Sequence, residues 1–285
     1  MTRISTVLLL SIGLAACGGN ASKPLVQGAS TEKKPSKPKG PYIPEVRAGY
    51  EGYYTGLFEA ADGSGGHDNN RISVRIDSAR DGKVWGTSIV AGNERPFTGK
   101  AEDVGGRISI TAQEPGTDKW DGTFLMALDG DTLSGRWDAF DKGLPVPART
   151  YRLAKRAFRY DPSATFNDEV FEGFMIATYA ESTDKGERLS EKVLELNPSK
   201  VLLKSRDVEN LYKSDLELLR NSIYARHGYS FRNVRMRRFF DHYVDWYMPV
   251  STDVTAQLTP IEQKNIALLK RYEGHATKYY DSFGR

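Results

Sequence analysis

The chain has 285 residues, 39% hydrophobic and 27% charged, with a formal net charge of +3. That suits one large or two small globular domains, and the charge is too small to argue for a nucleic-acid partner. A single cysteine, Cys17, excludes an internal disulfide and a thiolate zinc site. The scattered His67, His227, His242 and His275 show no ligand spacing, so neither metal nor cofactor is expected.

The chain opens MTRISTVLLLSIGLAACGGN. Arg3 supplies a positive start, and Val7 to Ala16 form an apolar run too short to span a bilayer as a mature helix. Residues 1–16 therefore read as an export signal. Leu14-Ala15-Ala16-Cys17 resembles the lipobox of bacterial lipoproteins. The resemblance implies cleavage before Cys17, diacylglycerol on its sulfur and an acylated new N-terminus, which makes the membrane a partner through that lipid. Several acyl chains anchor firmly where one is marginal. Gly18, standing where Asp would retain the protein, implies by the same resemblance the outer membrane. Residues 17–43, the anchor and the Gly-, Ser-, Lys- and Pro-rich segment after it, have little to bury and read as a disordered tether.

From Tyr50 the pattern has period two. Ile72, Val74 and Ile76 alternate with Arg71, Ser73 and Arg75, and Ile108 and Ile110 repeat the pattern. Similar runs cover 52–58, 83–90, 123–128, 132–138 and 149–155. Turn signals stand at Asp81-Gly82, Asp121-Gly122, Asp129-Gly130 and Gly143. The spacing predicts an antiparallel barrel or sandwich over 44–198. A lipocalin-like barrel is one form, and Trp85, Trp120 and Trp137 are expected to fill its core rather than line a cavity. Within 161–198, VFEGFMIATYA and KVLELN read as two further strands joined through STDKGE. The loop Asp62 to Asn70 lacks the spacing of a calcium site, and the region has no nucleophile elbow or phosphate-cradling glycine motif.

After Ser199 the period becomes 3.6. Ser214 with Glu217 reads as a capping box that starts a helix. Leu216, Leu219, Ile223 and His227 share its buried stripe, and Gly228 takes the left-handed position past its end. Arg226 and His227 fall in the last turn, where donors meet free carbonyls. His227 thus reads as packed and hydrogen-bonded rather than as a general base. Thr259 with Glu262, and Pro260 between them, start a second helix whose stripe holds Ile261, Asn265, Leu268 and Tyr272.

The residues Leu219-Arg220-Asn221, Tyr224-Ala225-Arg226-His227-Gly228, Phe231, Phe240, Trp246-Tyr247, Leu258, Glu262, Asn265 and Tyr272-Glu273 together resemble the YARHG domain, a small helical module of exported bacterial proteins. The resemblance covers 199–275, leaving 276–285 as a tail, and implies an extracytoplasmic location but no reaction. The expected fold is therefore α+β, a β-barrel or sandwich followed by a helical module. The expected function is a non-catalytic, lipid-anchored binding or scaffold protein of the envelope, with peptidoglycan or another envelope protein as partner. Two alternatives stand beside it: an envelope hydrolase of glycan or peptide, and a carrier of an apolar ligand in the barrel. The expected binding surface sets Tyr229, Trp246 and Tyr247 within a ring of Arg232, Arg235 and Arg238, the chemistry of interface anchors and of sugar stacking; the alternative is that Trp246 and Tyr247 close the helical core, Trp246 above all because its area is costly to expose.

Overall fold

The computed structural model describes residues 49–80, 82–179 and 186–280, so the expected export signal, Cys17 and tether lie outside the described residues. Eight strands come first: β1 (Gly52–Ala60), β2 (Asn70–Arg80), β3 (Lys83–Val90), β4 (Asn93–Val104), β5 (Arg107–Gln113), β6 (Gly122–Asp129), β7 (Thr132–Ala139) and β8 (Ala148–Lys155). Each pairs antiparallel with its chain neighbour, and β8 returns to β1 to close a barrel. Closure leaves no unpaired edge. The period-two residues Ile72, Val74 and Ile76 all face the interior core.

That interior is filled by rings. Phe58, Phe97, Phe124, Trp137 and Tyr151 are linked by centroid separations of 5.7 to 6.4 Å. Of the three tryptophans expected in this core only Trp137 is buried; Trp85 and Trp120 are 43% and 44% exposed. Both sit where their large rings meet solvent instead of the barrel axis.

One strand, β4, adds to the runs read from the sequence, and one turn signal is corrected. β4 carries no apolar alternation (Phe97 is its one deeply buried large residue), and it forms because β3 and β5 each need a hydrogen-bonding partner. Asp121-Gly122 is not a turn: Gly122 opens β6, and Asp121 Oδ2 accepts the amides of Gly116, Thr117 and Asp118 at 3.0, 3.0 and 3.1 Å.

Six helices follow: α1 (Glu169–Tyr179), α2 (Lys192–Glu195), α3 (Ser205–Val208), α4 (Lys213–Arg226), α5 (Val234–Tyr243) and α6 (Pro260–Tyr279). The two strands expected within 161–198 are helices α1 and α2, with much of the STDKGE join outside the described residues. Their β-branched and aromatic content suggested strands, but Val170, Phe174 and Ala177 recur at helical spacing and are buried in the helical core. Gly173 lets α1 approach α5, since a Cβ there would lie 2.4 Å from Tyr243 Cγ. The strands thus end at Lys155, and the segment expected to extend the sheet to residue 198 packs with the helices.

The start of α4 also differs. Ser214 is not its cap, because its hydroxyl donates to the Arg188 carbonyl at 2.6 Å. Tyr212 holds the cap position, and its amide donates to Asp215 Oδ2 at 2.9 Å. For α6 the capping box is present: Thr259 N donates to Glu262 Oε2 at 2.9 Å, and Glu262 N to Thr259 Oγ1 at 3.3 Å. Pro260 opens the helix, which runs to Tyr279, past the expected end at 275.

The helices are joined to the barrel's outer wall. Tyr53 and Ile89 pack against Met248 and Val250 in a buried cluster. Arg71 of β2 donates its amide to Asp241 Oδ2 (2.8 Å), Nε to the Asp241 carbonyl (3.0 Å) and Nη1 to the Tyr247 carbonyl (2.9 Å). The turn between β3 and β4 enters the helical side: Gly92 N donates to Ser230 Oγ, and Arg232 Nε to the Gly92 carbonyl, each at 3.0 Å. Gly92 has φ +73°, and a Cβ there would lie 2.1 Å from Arg232 Cγ, so glycine is needed both for the turn and for this approach.

Candidate functional site: a groove on the helical module

The string Tyr224-Ala225-Arg226-His227-Gly228 ends α4. Gly228 has φ +75°; its amide donates to the Ala225 carbonyl at 2.9 Å, and Tyr229 N donates to the Tyr224 carbonyl at 3.1 Å. This pair of bonds satisfies the last carbonyls of the helix in the Schellman arrangement. A Cβ on Gly228 would lie 2.4 Å from Val250 Cγ2, so the turn is also closely packed.

His227 and Glu262 are both buried, with His227 Nε2 2.8 Å from Glu262 Oε2. The Tyr160 ring stacks on the imidazole at 4.3 Å, and the Tyr160 hydroxyl donates to Glu262 Oε1 at 3.1 Å. Burial opposes ionisation of Glu262, but His227, the nearby Ser199 hydroxyl and the Thr259 amide outweigh it and hold the carboxyl down to about 2. Ser199 Oγ itself is buried without a partner in good hydrogen-bond geometry. This cluster has no access to a substrate; it fastens the ends of α4 and α6 and the 156–164 linker together.

Beside the string lies a groove of about 410 Å³. α4 supplies one wall through Glu217, Arg220, Asn221 and Tyr224, at spacings of three, four and seven along one helix face. Tyr229 and Arg232 continue that wall, and the segment Thr252 to Thr255 stands opposite. Buried Phe231, Met236 and Val254 form an apolar floor. The Tyr224 and Tyr229 rings are neighbours, with centroids 6.1 Å apart and planes at 55°.

The ionised groups of this groove are braced from behind. Arg220 is gripped bidentately by Glu273; burial opposes its charge, but that pairing wins and its pKa lies above the usual arginine value. Glu217 is bonded to Arg235, which also holds Glu187 at 2.7 and 3.1 Å. Burial raises Glu217 despite Arg235. Asp253, exposed on the opposite side, is held below the usual carboxylate range by hydrogen bonds from Thr255. Burial pushes the Tyr224 hydroxyl up, so it is a neutral donor and acceptor at physiological pH.

The six residues expected to form one binding surface are dispersed. Tyr229 and Arg232 line the groove, and Arg235 braces Glu217 behind it. Arg238 points instead at the barrel, where it pairs with Asp68 at 2.6 Å. Trp246 lines a different recess and donates Nε1 to the Thr165 carbonyl at 3.0 Å. Tyr247 is 1% exposed, with its hydroxyl on the Tyr229 carbonyl at 2.8 Å, so it offers a partner no surface. Glu217, Arg220, Asn221 and Tyr224 were overlooked as lining. Their spacing beside the apolar stripe of α4 was the available signal, hidden because the helix pattern accounted for them as surface.

Residues 194–274 match the YARHG domain, within the C-terminal third of the chain. No curated protein and no solved structure matches the chain.

Proposed function

From the YARHG match and the groove beside it, we propose a non-catalytic binding or scaffold protein of the bacterial cell envelope, lipid-anchored through Cys17, whose groove grips peptidoglycan. The observation that carries this reading is the groove's composition. Two adjacent tyrosine rings suit the faces of sugar rings, Thr252, Thr255 and the Asn233 amide nitrogen supply neutral hydrogen-bonding groups, and Arg232 and Asp253 offer both charges to a peptide stem. The filled barrel interior supports a spacer or platform in preference to an apolar carrier. Export and lipidation rest on the lipobox resemblance of residues 14–17.

The test is sedimentation of the chain with purified sacculi. Tyr229→Ala and Arg232→Ala are expected to weaken retention on the order of tenfold or more, with melting temperatures close to the parent. Retention unchanged in both variants overturns the groove as the binding place.

A second reading, hydrolysis of an envelope polymer, is favoured by one observation: Glu217 and Asp253 line the same groove and are shifted in opposite directions, as an acid and its partner are. Against it, Glu217 is locked to Arg235 and Asp253 caps Thr255, so both carboxylates already serve fixed bonds. Release of soluble fragments from sacculi, lost in Glu217→Gln, would establish the enzyme and displace the binding reading.

A further inference from the structure

A second concavity lies where the barrel, the linker and the helices meet. It encloses about 230 Å³ and is lined by Arg156, Phe158, Arg159, Arg226 and Trp246, among others. Three elements build it: Arg156 follows the end of β8, Arg226 closes α4, and Trp246 follows α5. Arg156 is held to the helical side, Nη1 donating to the Asp245 carbonyl at 3.2 Å and Nη2 to the Trp246 carbonyl at 3.5 Å. The recess therefore exists only while barrel and helices are docked.

Its lining sets three arginines against one carboxylate, that of Asp161. Arg226 is 4% exposed, yet its guanidinium bonds only neutral oxygens: Nε and Nη2 donate to the Ala164 carbonyl at 3.0 and 2.8 Å, and Nη1 to Ser222 Oγ at 2.8 Å. Arg95, Arg220 and Arg235 are paired with carboxylates, whereas half-buried Arg71 and Arg149, like Arg226, donate their guanidinium groups to carbonyls. Among the described residues, no carboxylate lies within ion-pair distance of Arg156, Arg159 or Arg226. Asp161 lines the same recess; its carboxylate, which accepts from the amide and hydroxyl of Ser163 at 2.8 and 2.5 Å, offsets part of the positive charge and leaves the arginines in excess. Glu262 acts on Arg226 from beyond ion-pair distance. The Trp246 ring lies under Arg226, 5.5 Å from its guanidinium carbon.

A buried guanidinium is costly to leave without an anion, and the arginine fork matches the geometry of an oxyanion. Surplus positive charge, neutral hydrogen-bond partners that fix the forks in place, and an aromatic wall in one small recess have a common chemistry. We propose that this recess binds a phosphate group, with Arg159 and Arg156 at its mouth as the contacting forks, Arg226 beneath as a fixed positive charge, and the group's organic substituent against Trp246 and Phe158. The site is separate from the peptidoglycan groove and does not depend on that reading. The phosphate has two sources, a phospholipid headgroup or a free phosphate compound.

The test is calorimetric titration of the full chain carrying Cys17→Ser, with inorganic phosphate and, separately, with monomeric short-chain phosphatidylglycerol. Saturable binding of at least one probe is expected, weakened on the order of tenfold by Arg159→Ala and abolished by Arg159→Glu, with unchanged melting temperature. Arg159 is exposed and holds no structural bond, so it carries the test even if Arg156→Ala loosens the seam. Tighter binding of the lipid than of inorganic phosphate identifies a headgroup; equal or weaker binding identifies a free phosphate compound. No saturable binding of either probe at millimolar concentration, or binding that both Arg159 variants leave unchanged, overturns the proposal.

Discussion

His227 Nε2 stands 2.8 Å from Glu262 Oε2, linking the end of α4 to the first turn of α6. The same carboxylate accepts the Thr259 amide and the Tyr160 hydroxyl, so one acid closes a helix cap, pairs with a histidine and holds the linker from the barrel. A histidine so enclosed works as a fastening.

Replacing that histidine tests the fastening. His227→Ala leaves Glu262 buried without its partner and removes the stack on Tyr160, so a loss of about 3–5 kcal/mol is expected. Glu262→Gln keeps a residue suited to the capping box and is expected to cost less, about 1–2 kcal/mol. Urea denaturation of the three proteins reads both values. A His227→Ala protein of parental stability would remove the structural role.

Stability should also depend on pH in two opposed limbs. Glu262 has a folded pKa of about 2, below its ordinary 4.5, so its contribution is complete above 4.5 and is lost as pH falls toward 2. Asp241 is shifted the other way, to about 7 from 3.8, because burial outweighs the Arg71 amide and the Arg71 and Arg237 charges; Tyr247 lies on its other side. Its contribution is complete below 3.8 and is lost as pH rises through about 7. Stability is therefore expected to peak in mildly acidic buffer, with each group contributing a limiting slope of about 1.4 kcal/mol per pH unit to its limb. Asp241→Asn should make the limb that falls between 3.8 and about 7 shallower, and Glu262→Gln the limb below 4.5, while other raised carboxylates such as Glu217 and lowered ones such as Asp253 keep part of each. Slopes unchanged from the parent in both variants contradict the assignment.

The sheet was legible because Ile72, Val74 and Ile76 must share a face and because glycine turns separate the runs. β4 was not legible: its polar and charged residues form a strand through neighbours distant in sequence. The end of α4 could be read from Gly228 and the stripe before it, since helix termination is a local matter. Its start could not, because Asp215 wins over Ser214 only once Arg188 is placed to take the Ser214 hydroxyl. The same limit applied to the site. Tyr229 and Arg232 were found from their exposed loop chemistry, whereas Tyr247 was expected beside them and is buried. Whether an aromatic after a helix faces inward depends on what surrounds it, here the Phe231 and Phe240 rings and Arg71, which holds the Tyr247 carbonyl from 176 residues earlier.

Anchoring gives a prediction independent of the fold. Cys17 is the chain's single cysteine, so Cys17→Ser removes the one thiol that could carry diacylglycerol. The variant is expected to remain unprocessed or to appear in the soluble periplasmic fraction, read by fractionation and by the mass of the mature protein. A variant cleaved as the parent is, and still sedimenting with outer membrane, would refute lipid anchoring.

Tyr247 and Arg232 should separate packing from binding. Tyr247 touches Phe231 and Phe240 at ring separations of 5.8 and 5.4 Å, and its carbonyl accepts from Arg71 of the barrel. Tyr247→Ala therefore opens a cavity at the seam and is expected to cost about 3–5 kcal/mol. Tyr247→Phe, which loses only the bond to the Tyr229 carbonyl, should cost about 1 kcal/mol. Arg232 is exposed and anchored by one bond to Gly92, so Arg232→Ala should cost at most about 1 kcal/mol. Retention on sacculi should follow a different order: lost in Arg232→Ala while the protein stays folded, and kept in Tyr247→Phe. Denaturation midpoints and sedimentation measured on the same preparations decide the matter. Loss of retention in Tyr247→Phe with parental retention in Arg232→Ala would place binding at the buried seam and not in the groove.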